Sequence, residues 1–522
     1  MLHILRQKCT LGSSFNIIGI FTKPRSLSAK AGQFKKYHYC TTSRIKEILN
    51  SHNTIRFSSS DTNEKVKWLW EANDYYTDFY EANRIGTRMG FGEFTYHCTK
   101  PIEADHWRQT FMHLQKKCPS ARIMLRPRDG QLWFCELKEL GMDFEMLSPD
   151  ADLRAEMERL NLQGFQSTDS VPWKYRLIPR GSDAECSIEG INDKYPYQYD
   201  LSLLINHAIV DGMDSLMVCN WVHKILDDVV SGRIVNDEQT GIYGDYREID
   251  SLLLDKRRER LKQDKRYFDF IKSTIPSYDS VPTLLEAFPR NTVEPLSGHI
   301  IKLIDAKTSE ILQAKCSGAG VTFNSLCIAA ANIGAMEACR EMGLSKDSYK
   351  INCLNFVNSR RYLPTKEYIH GCFMSPLTYS SEVRSNTIDH FWAYCKKVNR
   401  DLLSHFKERR SLDQKIVREM VEADLPKFNY TDNLRPVLHD FSVNFFKDAT
   451  KIVPGDGENV QLSNIVSVNK IHKFINCLMH EIMIFRGKTQ YTLTYATDFF
   501  TEETAQIIAD NFLRVLKHIE EN

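Results

Sequence analysis

The 522-residue sequence lacks the features that define several classes of protein. Its longest apolar stretches, such as Ile328 to Met336, fall well short of the ~20 residues that a membrane span needs. No charge of one sign predominates, because 68 Lys and Arg residues are balanced by 67 Asp and Glu residues. This balance gives no uniform basic field that would attract nucleic acid. The sequence therefore predicts a globular chain without a transmembrane segment or a nucleic-acid partner, and it excludes coiled-coil, collagen-like and disordered proteins.

The 14 cysteines include no C-x-x-C pair, which argues against a structural zinc site or a thioredoxin-like motif. A chain of this length can build its core without disulfides. We therefore expect reduced, mostly buried cysteines in an intracellular protein, and no bound metal.

Acidic residues are missing from the first 46 positions, and residues 1–60 carry ten Lys or Arg residues against Glu47 alone. Arg- and Ser-rich, acid-poor, amphipathic N-termini are typical of mitochondrial transit peptides. The segment Arg56-Phe57-Ser58-Ser59 resembles the cleavage sites of matrix proteins. We therefore predict a transit peptide at residues 1–57 and a location in the mitochondrial matrix. The alternative is a flexible basic tail on a cytoplasmic protein.

From about residue 65 onwards, strand and helix patterns alternate. Strand patterns occur at 91–98, 121–125, 131–136, 173–178, 199–205, 299–304, 351–357 and 489–495. Helical patterns occur at 105–117, 214–229, 306–316, 322–335 and 501–519, with a turn at 317–320. These patterns predict a mixed α/β chain of two lobes, 58–253 and 296–522. The segment 254–295, which begins with a run of charged residues, would connect the lobes through a solvated helix.

One segment carries a pattern that indicates chemistry. An apolar strand ends at Asn206-His207, and Asp211 and Gly212 follow just before a helix. Neutral imidazole is an effective general base at physiological pH, and the turn would present one ring nitrogen to a cleft while nearby backbone fixes the other. Gly212 would permit a tight backbone conformation. His223 and Asp227 repeat the spacing inside an amphipathic helix without the glycine, so we interpret His223 as a core residue.

The stretch from His207 to Gly212 resembles the H-x-x-x-D-G motif of the chloramphenicol-acetyltransferase-like superfamily. That group includes nonribosomal peptide condensation domains, alcohol O-acetyltransferases and polyketide-associated acyltransferases. The resemblance spans roughly residues 90–520. It also rests on Trp173-Lys174-Tyr175, Gly320-Val321-Thr322, Asn358-Ser359-Arg360 with the later Gly371 and Phe373, and Ser442-Val443-Asn444.

The resemblance implies two lobes of one fold, arranged as a pseudo-dimer with an active-site tunnel between them. It implies direct transfer of an acyl group from a thioester to a hydroxyl or amine of a small molecule, with His207 as general base and no acyl-enzyme. Asp211 would point away from the pocket and pair with an arginine, for which Arg360 is the best match. Ser442 and Asn444 would contact substrate. The donor would be acyl-CoA, or a phosphopantetheine thioester on an acyl carrier protein, and no cofactor would be bound.

The sequence departs from the condensation-domain pattern at Asn206, where those domains usually carry a second histidine. This departure favours an acyltransferase over peptide-bond formation. Two alternatives stay open: a ligand- or carrier-binding protein that keeps the scaffold without turnover, and condensation-type transfer from a carrier-protein thioester.

Overall fold

The computed structural model of the chain describes residues 65–522 except 140, 166–170, 182–190, 289, 292, 423–436 and 474–476. The chain divides into two units, Met1–Ser58 and Ser59–Asn522, and all the described residues belong to the second. The predicted transit peptide and its cleavage site lie outside the described residues, so both stay predictions.

The strands follow the β-branched and aromatic runs of the sequence. In chain order they are β1 (Val66–Glu71), β2 (Gly90–Cys98), β3 (Ile123–Arg128), β4 (Gln131–Leu137), β5 (Asp143–Met146), β6 (Trp173–Gly181), β7 (Tyr197–Ile205), β8 (Ile242–Tyr243), β9 (Ser297–Ile304), β10 (Ser348–Asn358), β11 (Ile369–His370), β12 (Met374–Arg384), β13 (Phe441–Asp448), β14 (Val460–Asn469), β15 (Leu478–Phe485) and β16 (Lys488–Ala496).

The α-helices lie mainly between the strands and cover the faces of the sheets. They are α1 (Asp74–Arg84), α2 (Ala104–Lys117), α3 (Leu153–Gln163), α4 (Ile191–Lys194), α5 (Gly212–Ser231), α6 (Tyr246–Gln263), α7 (Lys265–Ser273), α8 (Thr283–Ala287), α9 (Ala306–Ala319), α10 (Phe323–Glu341), α11 (Phe391–Glu408), α12 (Arg410–Glu422) and α13 (Glu502–Glu521).

The first large sheet has the order β14-β2-β7-β6-β5 and is antiparallel except between β5 and β6. Its edge strand β14 comes from the C-terminal part of the chain and pairs with β2 from Val460↔Cys98 to Asn469↔Gly90. The predicted lobe boundaries assign this strand to the C-terminal lobe, 296–522, although it belongs to the sheet of the N-terminal lobe. The two halves of the chain are therefore joined by backbone hydrogen bonds as well as by side-chain packing.

The second large sheet has the order β12-β10-β13-β15-β16-β9 and comes entirely from the C-terminal half. Its β10–β13 and β13–β15 pairs are parallel, and the other pairs are antiparallel. Every residue of β15 is buried, as expected for a central strand that is covered on both faces. Helices α10 and α13 pack against this sheet and share its hydrophobic core.

Two small sheets complete the architecture. One has the order β1-β4-β3, and the other pairs β8 with β11 in parallel. The β8–β11 pair matters for the site, because it joins Ile242-Tyr243, which follow α5, to Ile369-His370, which follow Arg360. Distant parts of the chain are thereby brought to the start of α5.

Thr322 begins α10 as predicted, because its side-chain oxygen accepts a hydrogen bond from the backbone N–H of Ser325 at 3.1 Å. Two boundary predictions were wrong. The helix runs to Glu341 rather than ending near residue 335, and residues 317–319 belong to α9 instead of a turn. Gly320, with φ of +69°, ends α9 in the left-handed conformation that glycine adopts without strain.

Within the described ranges, no single helix is long and apolar enough to cross a membrane. The pair α9 and α10 meets that criterion only jointly and is bent by 102°. Each cysteine of the described part of the chain is buried and unpaired. These are Cys98, Cys118, Cys135, Cys219, Cys316, Cys327, Cys339, Cys353, Cys372, Cys395 and Cys477.

Candidate functional site

A cavity of about 70 Å³ lies where the two large sheets face each other, and His207 lines it. The first sheet contributes residues of β2, β7 and β14, and the second contributes residues of β13 and β15. The volume is room for a few water-sized groups only. Its lining is mostly apolar, with a small number of polar side chains, as is typical of small-molecule sites.

His207 lies in the turn between β7 and α5, and this turn is held by its own Asn206 and by helix α1. Asn206 accepts a hydrogen bond from the backbone N–H of Ala208 at 3.0 Å. The side-chain oxygen of Asn83, a buried residue of α1, accepts one from the backbone N–H of His207 at 3.1 Å. Phe79 of the same helix packs its ring 5.5 Å from the imidazole. The position of the histidine is therefore set from both sides.

Burial lowers the pKa of His207 below its ordinary value of 6.5, because a charged ring loses its hydration there. Backbone groups of His207 and Val210 and the carboxylate of Asp211 oppose this shift without reversing it. The Nδ1 atom makes no hydrogen bond of good geometry within the described part of the chain. The ring is therefore neutral at physiological pH, the state that a general base requires. The expected backbone bond that would fix its tautomer is at most weak.

Asp211 does not line the cavity; it is the N-cap of α5 and accepts a hydrogen bond from the backbone N–H of Asp214 at 3.0 Å. Its other carboxylate oxygen accepts hydrogen bonds from Arg360 at 2.5 Å and from the backbone N–H of Phe373 at 2.8 Å. The structure thus brings together Asp211 and Arg360, which are 149 residues apart.

Arg360 lies in a 3₁₀ turn after β10, and its guanidinium is almost fully buried. Besides Asp211, it donates to the backbone carbonyls of Ile369 and Gly371. Burial opposes its charge, but Asp211, Tyr368 and Asp214 together more than offset this effect, so the pKa of Arg360 is raised. The arginine therefore ties the start of α5 to the loop at 369–373.

The reason predicted for Gly212 was wrong. Its φ does not lie in the left-handed region. Instead, a Cβ atom at this position would lie 2.3 Å from Cε1 of Phe446, a residue of β13 in the second sheet. Glycine at this position leaves room for the Phe446 ring, where the two halves of the protein approach each other closely beside His207.

Sequence reasoning missed a second buried pair, Asp214 and His370. Asp214 Oδ1 lies 2.6 Å from His370 Nδ1, and Asp214 Oδ2 accepts the backbone N–H of Gly371 at 2.9 Å. The other ring nitrogen of His370 lies 2.8 Å from the carbonyl oxygen of Thr240. The imidazole of His370 thus lies between the Asp214 carboxylate and the Thr240 carbonyl oxygen, and it links the start of α5 to the segment that precedes β8. The only sequence signal was the position of Asp214, two residues after Gly212.

The two predicted substrate contacts differ in their placement. Asn444 lines the cavity, on the wall formed by the second sheet. Ser442 does not line it; its side chain is fully buried and its hydroxyl donates to the carbonyl oxygen of Leu478 at 3.4 Å.

His223, the comparison histidine, is buried beside Tyr96, with ring centroids 6.2 Å apart. Across the described ranges, no group of three or more His, Cys, Asp or Glu residues is placed to hold a metal ion.

Comparison with solved structures decides the fold. Trichothecene 15-O-acetyltransferase from Fusarium sporotrichioides matches 88% of this chain and 97% of its own, with a TM-score of 0.61 and 11% identity. The chain has the chloramphenicol-acetyltransferase-like fold. The same two-lobed fold is seen in the first condensation domain of the CDA synthetase, with a TM-score of 0.61, 11% identity and coverage of 87% and 97%.

A third structure with this fold is a variant of the starter condensation domain of rhizomide synthetase, solved in complex with C8-CoA and Leu-SNAC. It has a TM-score of 0.59, 12% identity and coverage of 88% of this chain and 95% of its own. No protein-family model matches the sequence, and neither does any curated protein. At such low identity these likenesses establish the two-lobed fold, so the chemistry has to be argued from the site itself.

Proposed function

We propose that this protein is an acyltransferase that moves an acyl group from acyl-CoA to a hydroxyl or amine of a small molecule. The observation that carries the proposal is a half-buried histidine that lines a cavity between two lobes, with its pKa lowered and its loop fixed by a buried Asp–Arg pair. The variant starter condensation domain of rhizomide synthetase, which has the same fold, was solved in complex with C8-CoA, and this supports a CoA thioester as the donor.

In the proposed reaction, His207 accepts the proton of the acceptor's hydroxyl or amine as that group attacks the thioester carbonyl. The tetrahedral intermediate then collapses, the C–S bond breaks, and the imidazolium returns the proton to the leaving thiolate. The products are the acylated acceptor and free CoA. Asp211 and Arg360 contribute by holding the loop and touch neither substrate.

Cys219 also lines the cavity and is the alternative nucleophile on geometry alone. Burial raises the pKa of its thiol well above the ordinary value, so the thiolate that would attack a thioester is scarce at neutral pH. This argues for His207 as the reactive group and against a covalent cysteine intermediate.

The proposal is tested with the full chain, a panel of acyl-CoA donors from acetyl to octanoyl, and a small-molecule extract as the source of acceptor. Free thiol is titrated over time. We expect thiol release that requires both donor and extract. Equal release without extract would indicate a thioesterase. No release from any donor would contradict CoA-dependent transfer, and carrier-bound thioesters and simple ligand binding would then be tested in its place.

Gly90 allows a test of the cavity, because a Cβ built on this residue meets no atom within 4 Å and would project into the space beside His207. We expect Gly90→Val to lower kcat/KM by roughly tenfold or more, since its methyl groups fill volume that the substrate needs. The thermal midpoint should change little. Gly318→Val, at an equally open position in α9 away from the cavity, should leave turnover unchanged. Equal turnover in both variants would contradict the placement of the site.

The pH dependence follows from the lowered pKa of His207. The ring must be neutral to accept a proton, so kcat/KM should fall at acid pH as the imidazole becomes charged, with the midpoint of this acid limb below pH 6.5. The measurement is kcat/KM between pH 5 and pH 8, because this parameter reports the ionisation of the free protein. An acid limb with its midpoint above 6.5 would contradict the assignment of His207.

A further inference from the structure

Two asparagines form a polar wall of the cavity in addition to His207. Asn444 belongs to β13 of the second sheet, and Asn469 is the last residue of β14 in the first sheet. Both side chains are half-buried and line the cavity. The wall therefore joins the two lobes, and its hydrogen-bonding character depends on which end of each amide faces the cavity.

Glu481 of β15 lies directly behind this wall and is only 3% exposed. The Asn469 amide nitrogen donates to its Oε1, and the Asn469 backbone N–H donates to its Oε2 at 3.3 Å. The Thr494 hydroxyl also donates to Oε2, at 3.1 Å. Asn444, its neighbour across the β13–β15 pair, lies close enough for its amide to lower the pKa of the same carboxylate. No ion pair with Glu481 occurs in the described part of the chain.

An ionised carboxylate accepts hydrogen bonds but cannot donate them, whereas an amide can do either. Glu481 therefore holds the NH₂ group of Asn469 towards itself and favours the same orientation for the nearby Asn444 amide, in which the amide oxygens turn away from the carboxylate. Burial raises the pKa of Glu481 to about 7, and the polar groups of Asn469, Thr494 and Asn444 limit the rise. The carboxylate is thus substantially ionised at neutral pH and above.

We propose that Glu481 is a positioning residue that presents the amide oxygens of Asn444 and Asn469 to the cavity, where they accept a hydrogen bond from an O–H or N–H of the bound ligand. The inference rests on the proposed function, since that donor group is either the reacting group of an alcohol or amine acceptor or an amide N–H of the pantetheine arm of acyl-CoA. A ligand without a donor group would leave buried amide oxygens unpaired and bind more weakly.

The test measures binding without turnover, so that it stands apart from the test of acyl transfer. Ligand-observed NMR gives the affinities of 1-butanol and of methyl propyl ether, which is similar in size but has no donor. Titration calorimetry gives the affinity of CoA. We expect the wild-type protein to prefer the alcohol by roughly tenfold, as one hydrogen bond to a buried acceptor would give. In Glu481→Gln, which frees at least one amide to reverse, the preference should fall to near unity.

The matched control is Asp440→Asn. Asp440 is another fully buried carboxylate of the C-terminal half, but it accepts from the backbone N–H groups of Leu284 and Asn352, away from the cavity. This variant should lose stability and keep the preference. Asn444→Ala should lose the preference without leaving a buried charge, which covers the case in which Glu481→Gln does not fold.

Each outcome of these binding measurements either supports or overturns the proposed role of Glu481. Loss of the alcohol preference in Glu481→Gln supports recognition of the acceptor. An unchanged alcohol preference with weaker CoA binding assigns the donor group to pantetheine. Unchanged affinities for all three probes in folded Glu481→Gln and Asn444→Ala would overturn the inference. If thiol release fails while the preference depends on Glu481, the proposed function falls and this inference stands.

Discussion

Arg360→Met should lower the free energy of unfolding by about 3–5 kcal/mol, because it leaves Asp211 as a buried charge without its cation. The variant also removes the donors to the carbonyls of Ile369 and Gly371. Chemical denaturation measures the change, provided that the denaturant dependence of the transition is the same in both proteins. Turnover should fall as well, since the turn that carries His207 continues into Asp211.

The neighbouring arginine provides the control. Arg361 is exposed and lies over the ring of Phe406, so Arg361→Met should change stability by less than about 1 kcal/mol. In a double-mutant cycle, Asp211→Asn and Arg360→Met should not be additive, because the two side chains share one interaction. Equal losses in the two arginine variants, or additive effects of the pair, would show that the Asp211–Arg360 contact does not support the fold.

His207→Ala should lower the acyl-transfer rate by roughly 10²–10⁴-fold, the usual contribution of a general base, while the unfolding transition stays close to that of the wild type. His223→Gln is the matched control, since His223 has the same H-x-x-x-D spacing but is buried in α5. It should lose stability and keep the rate of the folded protein. A His207→Ala variant with wild-type turnover would remove this residue from the reaction.

The local parts of the fold could be predicted from the sequence because they depend on near neighbours. Thr322 caps α10 through a bond that spans three residues, and the strand before His207 ends in the apolar run Leu203-Leu204-Ile205. The pairing of Asp211 with Arg360 could be anticipated only through resemblance to a family, since no periodicity links positions 149 residues apart.

No feature of the sequence indicated that β14, from the C-terminal half of the chain, pairs with β2 in the first sheet. Its pairing with β2 joins residues more than 360 positions apart, and strand register at that range depends on the packing of both lobes. Glu481 could have been noticed as an acidic residue among the mostly apolar residues of β15, but its partner Asn469 ends a different strand. Polar clusters built across two sheets become visible only once the sheets are assembled.

The central claim is that His207 acts on the acceptor and that no group of the protein takes up the acyl chain. The most direct test mixes the full-length protein with a slight excess of an acyl-CoA donor, with and without the purified acceptor. Samples are quenched over time, and intact protein mass, free CoA and acylated product are measured. We expect CoA release only with acceptor, one CoA per product and no gain in protein mass. An acyl adduct that forms without acceptor, on Cys219 or any other residue, would contradict it.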